Sequence, residues 1–330
     1  MLDIGLLGAG RIGVTHAKAV QSLPNARIAA IYDPIDAAAS AAIALTGAKR
    51  ASVEDILADP AIGAVIIATP TDLHADQIEL AAKAGKAIFC EKPVDLSAVR
   101  VRECLKVVAD TGTKLMVGFN RRFDPSFARV QAEIAAGTIG AVELVQITSR
   151  DPGAPPVDYI KRSGGLFRDM MIHDFDMARF LLGEEVAEVY ATGAVLTDPA
   201  IKATGDVDTA TATLRTASGK MAVITNSRRA TYGYDQRVEV HGSKGMVQAD
   251  NHRATSVSVA NGAGYTAEPL LDFFMQRYAE AYRNELTTFC NMVNGENVAF
   301  PTGQDGLKAL ELADAALLSL ETGKKVVIGG

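Results

Sequence analysis

Short apolar runs alternate with longer amphipathic segments through the first third of the chain. The runs cover residues 3–7, 27–32, 64–68, 87–90 and 115–118. Continuous apolar runs are typical of parallel strands that are buried on both faces, and the segments between them have the length of crossover helices. The pattern therefore predicts an α/β fold that begins with a doubly wound parallel sheet of the Rossmann type.

The first apolar run leads directly into the glycine-rich sequence Gly8-Ala9-Gly10-Arg11-Ile12-Gly13. Gly8 permits a tight turn, Gly10 lets a pyrophosphate approach the backbone, and Gly13 allows close packing of helix on strand. Asp33 stands at the end of the next strand-like run, where it can accept hydrogen bonds from ribose hydroxyls and repel a 2′-phosphate. The arrangement predicts a site for NAD in preference to NADP.

Residues that follow strands are further candidates, because ligands of such sheets lie at the carboxyl ends of the strands. Arg11 either neutralises pyrophosphate charge or is an exposed arginine without a role. Lys92 is a cation at the predicted rim, followed by Pro93, and the alternative is an ordinary surface lysine. The predicted cofactor contacts are Gly8, Gly10, Arg11, Ile12, Gly13, Asp33, Thr69, Pro70, Glu91 and Lys92.

The pattern changes after residue 119, where alternating strands follow one another. Thr209-Ala210-Thr211-Ala212-Thr213-Leu214 alternates residue by residue. Strands predicted at 142–149, 188–195, 208–216, 220–228, 236–242, 246–249 and 255–260, with a final strand at 325–328, indicate an open, mainly antiparallel sheet. One face would lie on a core helix, and the other would meet a partner subunit. We predict an NAD-binding domain at 1–119 and a domain for substrate and oligomerisation at 120–330, whose last helix is a candidate to pack back on the first domain.

The segment from Ser163 to Asp176 combines titratable and apolar residues in one predicted helix that begins at Ser163 and ends near Leu182. Asp169, His173 and Asp176 are spaced i, i+4, i+7 and would share one stripe. Apolar residues cover most of the remaining circumference, so the helix is predicted to be buried. The stripe is either an active site or a buried structural network.

Composition narrows the possible partners. The chain has 330 residues and a formal charge of −6, without a basic cluster, which argues against nucleic acid and membrane surfaces as partners. The three cysteines are far apart and have no metal-ligand spacing, so no metal site is predicted. No basic or apolar leader precedes the first strand-like run, and we expect a cytoplasmic protein.

Several phrases together resemble one family. They are the glycine-rich sequence at 8–13, Glu91-Lys92-Pro93, Gly164-Gly165 followed by Asp169 to His173, Gly118 to Asp124, and Tyr232 to Arg237. The chain resembles the Gfo/Idh/MocA oxidoreductases over its whole length, and most of all their inositol 2-dehydrogenase branch. The resemblance implies NAD-dependent oxidation of a ring hydroxyl of a cyclitol, typically myo-inositol to scyllo-inosose in inositol catabolism, by a homotetramer.

The resemblance also implies roles for particular residues. Lys92, Asp169 and His173 match the catalytic lysine and the Asp-x-x-x-His pair, and the hypothesis is that His173 is the base, Asp169 orients it, and Lys92 donates to the reacting oxygen. The implied substrate contacts are Lys92, Arg121, Asp151, Asp169, His173, Tyr232 and Tyr234.

Other functions stay open at this point. Within the family, the substrate is alternatively scyllo-inositol, D-chiro-inositol or an aldohexose. A further alternative is a relative that oxidises sugars transiently during glycoside cleavage or that transfers hydride within a tightly held cofactor. A protein of another class, a non-catalytic NAD-binding sensor, would need neither Lys92 nor the pair of Asp169 and His173.

Overall fold

The computed structural model describes residues 1–329, and the chain divides into two compact units. The first comprises Met1–Phe123 and Ala279–Leu310, and the second comprises Asp124–Tyr278 and the chain from Glu311 onward. The boundary predicted between residues 119 and 120, and the function predicted for each part, stay predictions.

A six-stranded parallel sheet forms the centre of the first unit. Its strands are β1 (Leu2–Leu7), β2 (Ala26–Tyr32), β3 (Lys49–Arg50), β4 (Ile62–Ile67), β5 (Ala87–Cys90) and β6 (Leu115–Val117). The spatial order is β3-β2-β1-β4-β5-β6, and every pair is parallel. The strand order reverses between β1 and β4, which is where a doubly wound sheet opens a crevice for its ligand. The predicted Rossmann-type sheet is confirmed.

Helices connect these strands, and their ends follow local capping rules. They are α1 (Arg11–Gln21), α2 (Asp36–Thr46), α3 (Val53–Ala58), α4 (His74–Lys83) and α5 (Ala98–Thr111). The hydroxyls of Ser52 and Ser97 accept the backbone amides of Asp55 and Arg100, which caps α3 and α5. Helix α2 was not predicted, because its alanine-rich sequence has no marked apolar period.

The second unit contains a mixed sheet and an isolated hairpin. Its first strands are β7 (Val142–Arg150), β8 (Val186–Ala194), β9 (Thr209–Thr216), β10 (Met221–Ser227), β11 (Asp235–Gly242) and β12 (Gly245–Ala249), and β13 (Ser258–Asn261), β14 (Gly264–Ala267) and β15 (Val326–Val327) follow. The sheet order is β12-β11-β7-β10-β9-β8-β15, and only the pair of β7 and β10 is parallel. The prediction of a mainly antiparallel sheet is confirmed.

The remaining helices are α6 (Pro125–Ala135), α7 (Val157–Ser163), α8 (Ile172–Leu182), α9 (Pro199–Lys202), α10 (Phe274–Arg277), α11 (Ala279–Val293) and α12 (Gly303–Thr322). Helix α8 packs on β7 and β10 through a buried polar contact. Ser149 and Asn226 donate to the two carboxylate oxygens of Asp174 at 2.5 and 2.9 Å. Because Asp174 is fully buried, these bonds replace the water that its carboxylate loses on folding.

Two sequence predictions in this unit are wrong. The segment 255–260 does not join the large sheet, because β13 pairs only with β14 and every residue of both strands is exposed. The helical pattern of residues 272–294 predicts one long helix, but the structure has two helices there, α10 and α11, with a break at Tyr278. The side chain of Tyr278 is buried and its hydroxyl donates to Gln236, so tertiary contacts override the helical pattern there.

Candidate active site

The glycine-rich loop of the first unit has the close backbone contacts that a dinucleotide site requires. Gly8 has a φ of +94°, and a Cβ atom there would lie 2.5 Å from the carbonyl oxygen of Ala68. A Cβ atom on Gly13 would lie 2.1 Å from the carbonyl oxygen of Gly8. Side chains larger than hydrogen are therefore excluded at both positions, and the loop is held against the end of β4.

The beginning of α1 is open to an anion. Gly10 precedes the helix, and in the described part of the chain no side chain caps it and a Cβ atom built on it meets nothing within 4 Å. The first turn contains no acidic residue, so its amides and the positive end of the helix dipole are available to a pyrophosphate. Arg11 is exposed and Ile12 is half-buried in this turn. These features fit NAD.

Asp33 lies beside the same loop. Its Oδ2 accepts the amide of Ala9 at 2.7 Å, and its Oδ1 accepts the amide of Ile35 at 2.8 Å. Each carboxylate oxygen keeps acceptor capacity for a ribose hydroxyl. These two hydrogen bonds from backbone amides fix the position of the Asp33 carboxylate. Its negative charge would repel a 2′-phosphate.

The strand ends of β4 and β5 hold a second group of predicted cofactor residues. The hydroxyl of Thr69 donates to Gln77 at 2.7 Å, and the adjacent Pro70 is exposed. Glu91 is buried, and its carboxylate lies 2.6 Å from Nε2 of His16 and accepts the amide of Lys92 at 3.2 Å. Burial opposes ionisation of Glu91, but the hydrogen bond to His16 and the charges of His16 and Lys92 outweigh it and lower the pKa of Glu91. The ionised carboxylate of Glu91 thus belongs to the residue directly before Lys92.

Arg121 lies in the short 3-10 turn Asn120–Phe123 that follows β6. The residue is buried, with 5% of its surface exposed. Because this turn follows β6, Arg121 lies at the carboxyl edge of the first unit's sheet. Its role as a substrate contact stays a prediction.

The continuous helix predicted from Ser163 is wrong. Ser163 ends α7, and its hydroxyl donates to the carbonyl of Ile160 rather than capping the next turn. Gly164 and Gly165 then have φ angles of +85° and +78°, which no right-handed helix tolerates. The chain resumes in a π turn, Leu166–Met170, before α8 begins.

Asp169 lies on the π turn and His173 lies in the first turn of α8. Single π turns within helices occur frequently at functional sites. The carboxylate of Asp169 accepts the hydroxyl of Tyr159 at 3.0 Å and lies 3.8 Å from Nη2 of Arg228. Tyr159 and Arg228 were not among the predicted site residues, although the adjacent arginines 228 and 229 at the end of the strand predicted at 220–228 were a usable signal.

Asp176, the third residue of the predicted stripe, is buried and lies beside an arginine of the same helix. It is 1% exposed, and one of its carboxylate oxygens lies 3.9 Å from Nη1 of Arg179, one helical turn further on. The stripe therefore combines the half-buried Asp169 and His173 with a carboxylate in the core.

The other predicted substrate residues of the second unit lie at one end of its sheet. The amide of Asp151 donates to the carbonyl of Ser227 at 2.9 Å, which joins the ends of β7 and β10. The hydroxyl of Tyr232 donates to Asp235 at 2.6 Å and accepts from Arg150 at 2.9 Å. Burial and the bond to Asp235 raise the pKa of Tyr232.

Tyr234 differs from Tyr232 in its environment. It is 6% exposed, and its ring packs edge-on against Phe273 and Tyr278 at centroid distances of 5.5 and 6.0 Å. The ring therefore belongs to the core of the second unit. Its predicted role as a substrate contact, like that of Asp151 and Tyr232, stays a prediction.

Residues 1–329 lack two features that other functions would require. Among these residues, no group of three or more His, Cys, Asp or Glu side chains is arranged to hold a metal ion. Over the same range, none of the helices combines the length and the apolar character needed to cross a bilayer.

Comparison with known families identifies both parts of the chain. Residues 2–119 match the oxidoreductase family model with an NAD-binding Rossmann fold, and residues 127–248 match the GFO/IDH/MocA C-terminal domain. The family resemblance predicted from the sequence is thereby confirmed.

Individual relatives cover the whole chain. An inositol 2-dehydrogenase from Rhizobium meliloti (strain 1021) is 60% identical over 324 residues, 98% of each chain. A crystal structure of a myo-inositol dehydrogenase from Corynebacterium glutamicum is 44% identical with a TM-score of 0.95 and covers 100% of this chain and 99% of that one. The structure of a scyllo-inositol dehydrogenase from Lactobacillus casei, with bound NAD(H) and scyllo-inositol, is 31% identical with a TM-score of 0.93 and covers 100% of both chains.

Replacing Asp33 tests the cofactor preference. We expect Asp33→Ala to weaken NAD binding by about tenfold and to reduce the preference for NAD over NADP, because the hydrogen bonds to ribose and the repulsion of a 2′-phosphate are both lost. Dissociation constants for the two cofactors, measured by fluorescence titration, check this. Asp36→Ala removes a nearby exposed carboxylate that pairs with Arg50 and should change neither constant. An unaltered cofactor ratio in Asp33→Ala would contradict the assignment.

Proposed function

The chain belongs to the Gfo/Idh/MocA family and is an NAD-dependent oxidoreductase acting on CH–OH, and from this we propose that it oxidises myo-inositol to scyllo-inosose. One observation carries the proposal: the motifs containing Lys92 and the pair of Asp169 and His173 occur in a chain that is 60% identical, over 98% of its length, to an inositol 2-dehydrogenase. The dinucleotide loop and Asp33 supply the cofactor site that this reaction needs. A non-catalytic sensor does not explain the presence of these motifs.

Oxidation of a secondary alcohol removes a proton from oxygen and a hydride from carbon. NAD, when bound, accepts the hydride at C4 of its nicotinamide ring. In the proposed mechanism His173 takes the hydroxyl proton as general base, and Asp169 orients the imidazole. Lys92 donates a hydrogen bond to the same oxygen and stabilises the negative charge that develops there.

A second substrate has support of its own. The relative from Lactobacillus casei binds scyllo-inositol, which differs from myo-inositol only in the configuration at one ring carbon. Oxidation of that carbon gives the same ketone from both cyclitols. The donors and acceptors of Arg121, Asp151 and Tyr232 suit either ring, so we propose scyllo-inositol as the second candidate substrate, ahead of D-chiro-inositol and aldohexoses.

The exposed face of the large sheet supports a proposed assembly. Tyr190, Met221, Met246 and Val327 are apolar, lie on strands of this sheet, and are 46%, 44%, 46% and 56% exposed. Apolar side chains spread over one sheet face are typical of a surface that a partner covers. We propose that this face joins identical chains in a homotetramer. The cytoplasmic location of the protein stays a prediction.

Removal of the proposed base is the first test. We expect His173→Ala to lower turnover at least about 100-fold while NAD affinity is kept, because a positioned base contributes roughly 10²–10⁴ in rate. Steady-state kinetics with myo-inositol and a separate NAD titration measure the two effects. His241→Ala, which removes an exposed histidine on β11, should leave both unchanged. Near-normal turnover of His173→Ala would refute its assignment as the base.

The substrate proposal is tested with a panel of cyclitols and aldohexoses. We expect formation of free NADH, followed at 340 nm, with the largest kcat/KM for myo-inositol and a measurable value for scyllo-inositol. A larger kcat/KM for an aldohexose would overturn the cyclitol proposal. Reaction without release of NADH would favour instead a relative that keeps its cofactor bound.

The assembly is tested by sedimentation. We expect the pure chain to sediment as a tetramer and the variant Tyr190→Glu to dissociate. The proposed interface would bury the new carboxylate without a partner, which is unfavourable. Val99→Glu, an equivalent change at an exposed position of α5, should remain a tetramer. A monomeric native chain, or a Tyr190→Glu variant that stays tetrameric, would contradict the proposed interface.

A further inference from the structure

Arg228 is a buried cation at the end of β10. Its side chain is 1% exposed, and its Nε and Nη2 atoms are buried and have no hydrogen-bond partner among residues 1–329. The Nη2 atom lies 3.8 Å from Oδ2 of Asp169 and 3.8 Å from Oδ2 of Asp206. A guanidinium in the interior requires compensating negative charge, and these two carboxylates supply it as ion pairs.

The backbone at Arg228 is held independently of its side chain. The amide of Arg228 donates to the carbonyl of Asp208 at 2.8 Å. The Asp208 carboxylate accepts the amides of Leu196, Thr197 and Asp198 at 2.8–3.1 Å. Burial opposes ionisation of Asp208, but these bonds outweigh it and lower its pKa to about 2. These hydrogen bonds to Asp208 hold the backbone at Arg228. A change of the Arg228 side chain leaves them in place.

Asp206 connects the same cation to the beginning of the π turn. Both of its carboxylate oxygens lie 3.0 Å from the amide nitrogen of Leu166, the first residue of that turn. A Cβ atom on Gly165 would lie 2.7 Å from Oδ1 of Asp206, so the contact is tight. Burial raises the pKa of Asp206, while the amide of Leu166 and the charge of Arg228 oppose this rise. The cation of Arg228 therefore favours the ionised form that receives the Leu166 amide.

These contacts connect Arg228 to the π turn in two places. It reaches Leu166 through Asp206, and it pairs directly with the Asp169 carboxylate. We propose that Arg228 is a positioning residue for the proposed reaction, fixing the Asp169 carboxylate from one side while Tyr159 bonds it from the other. This inference rests on the proposed role of Asp169 as the residue that orients His173. Arg228 acts on the reaction through Asp169 and not by contact with the substrate, because its side chain is 1% exposed.

A double-mutant cycle tests the proposal on the full-length enzyme with NAD and myo-inositol. Arg228→Met keeps the aliphatic stem and removes the charge, and Asp169→Asn removes the carboxylate. We expect kcat to fall about tenfold in Arg228→Met and about 100-fold in Asp169→Asn. The double variant should match Asp169→Asn alone, because the arginine has nothing left to position.

Arg229→Met is the matched control. Arg229 is exposed and its side chain donates to the carbonyls of Thr197 and Leu196, so loss of its guanidinium should leave kcat unchanged. Arg228→Lys, which restores a charge, should recover part of the kcat lost in Arg228→Met. NAD affinity should be the same in all variants, which separates positioning from general damage.

The outcomes distinguish this inference from the proposed function. A double variant about 1,000-fold below wild type would show that the two losses add, and it would overturn the positioning role while leaving that of Asp169 intact. If Asp169→Asn keeps normal kcat, the proposed function fails at Asp169, and the positioning role fails with it. If Arg228→Met does not fold, the cycle with Arg228→Lys decides in the same way: non-additive losses support the proposal, and additive losses overturn it.

Discussion

Charges that folding removes from water must find partners within the protein, and this constraint organises both units of the chain. In the first unit, the buried carboxylate of Glu91 is paired with His16. In the second unit, Asp124 and Arg277, each 1% exposed, form a buried ion pair, and Asp124 also caps α6 by accepting the amides of Ser126 and Phe127. Each of these partners comes from a different element, so the pairing of charges also fixes the elements against one another.

The parts of the fold that depend on local sequence were predictable. Continuous apolar runs identified the parallel strands, and the alternation in β9 identified a strand with one buried face, where Ala210, Ala212 and Leu214 are buried and Thr211 and Thr213 are exposed. The glycine-rich loop and Asp33 were found because the spacing of the motif itself encodes its close backbone contacts. Periodicity and motif spacing carry this information without any knowledge of distant residues.

The geometry around Asp169 was not predictable in the same way. Its helix pattern is continuous in sequence, and only the positive φ angles of Gly164 and Gly165 and the carboxylate of Asp206, 40 residues away from Leu166, impose the break and the π turn. Arg228 is further still along the chain. Contacts of such sequence separation leave no periodic signal, so the environment of Asp169 could only be read from the folded unit.

Two buried carboxylates of the first unit show how one environment separates otherwise similar groups. Burial raises the pKa of Glu285 on α11 well above its ordinary value, and the negative charge of Glu91 raises it further. The pKa of Glu91 is lowered instead, because the hydrogen bond to His16 and the charges of His16 and Lys92 together outweigh its burial. The pKa values of these two carboxyl groups are thus shifted in opposite directions. His16 lies on α1, the helix whose N-terminus is predicted to receive the pyrophosphate, so the Glu91 carboxylate joins that helix to the strand end that is followed by Lys92. The contact between His16 and Glu91 therefore links the predicted cofactor site to Lys92 within the first unit, and the proposed reaction requires both.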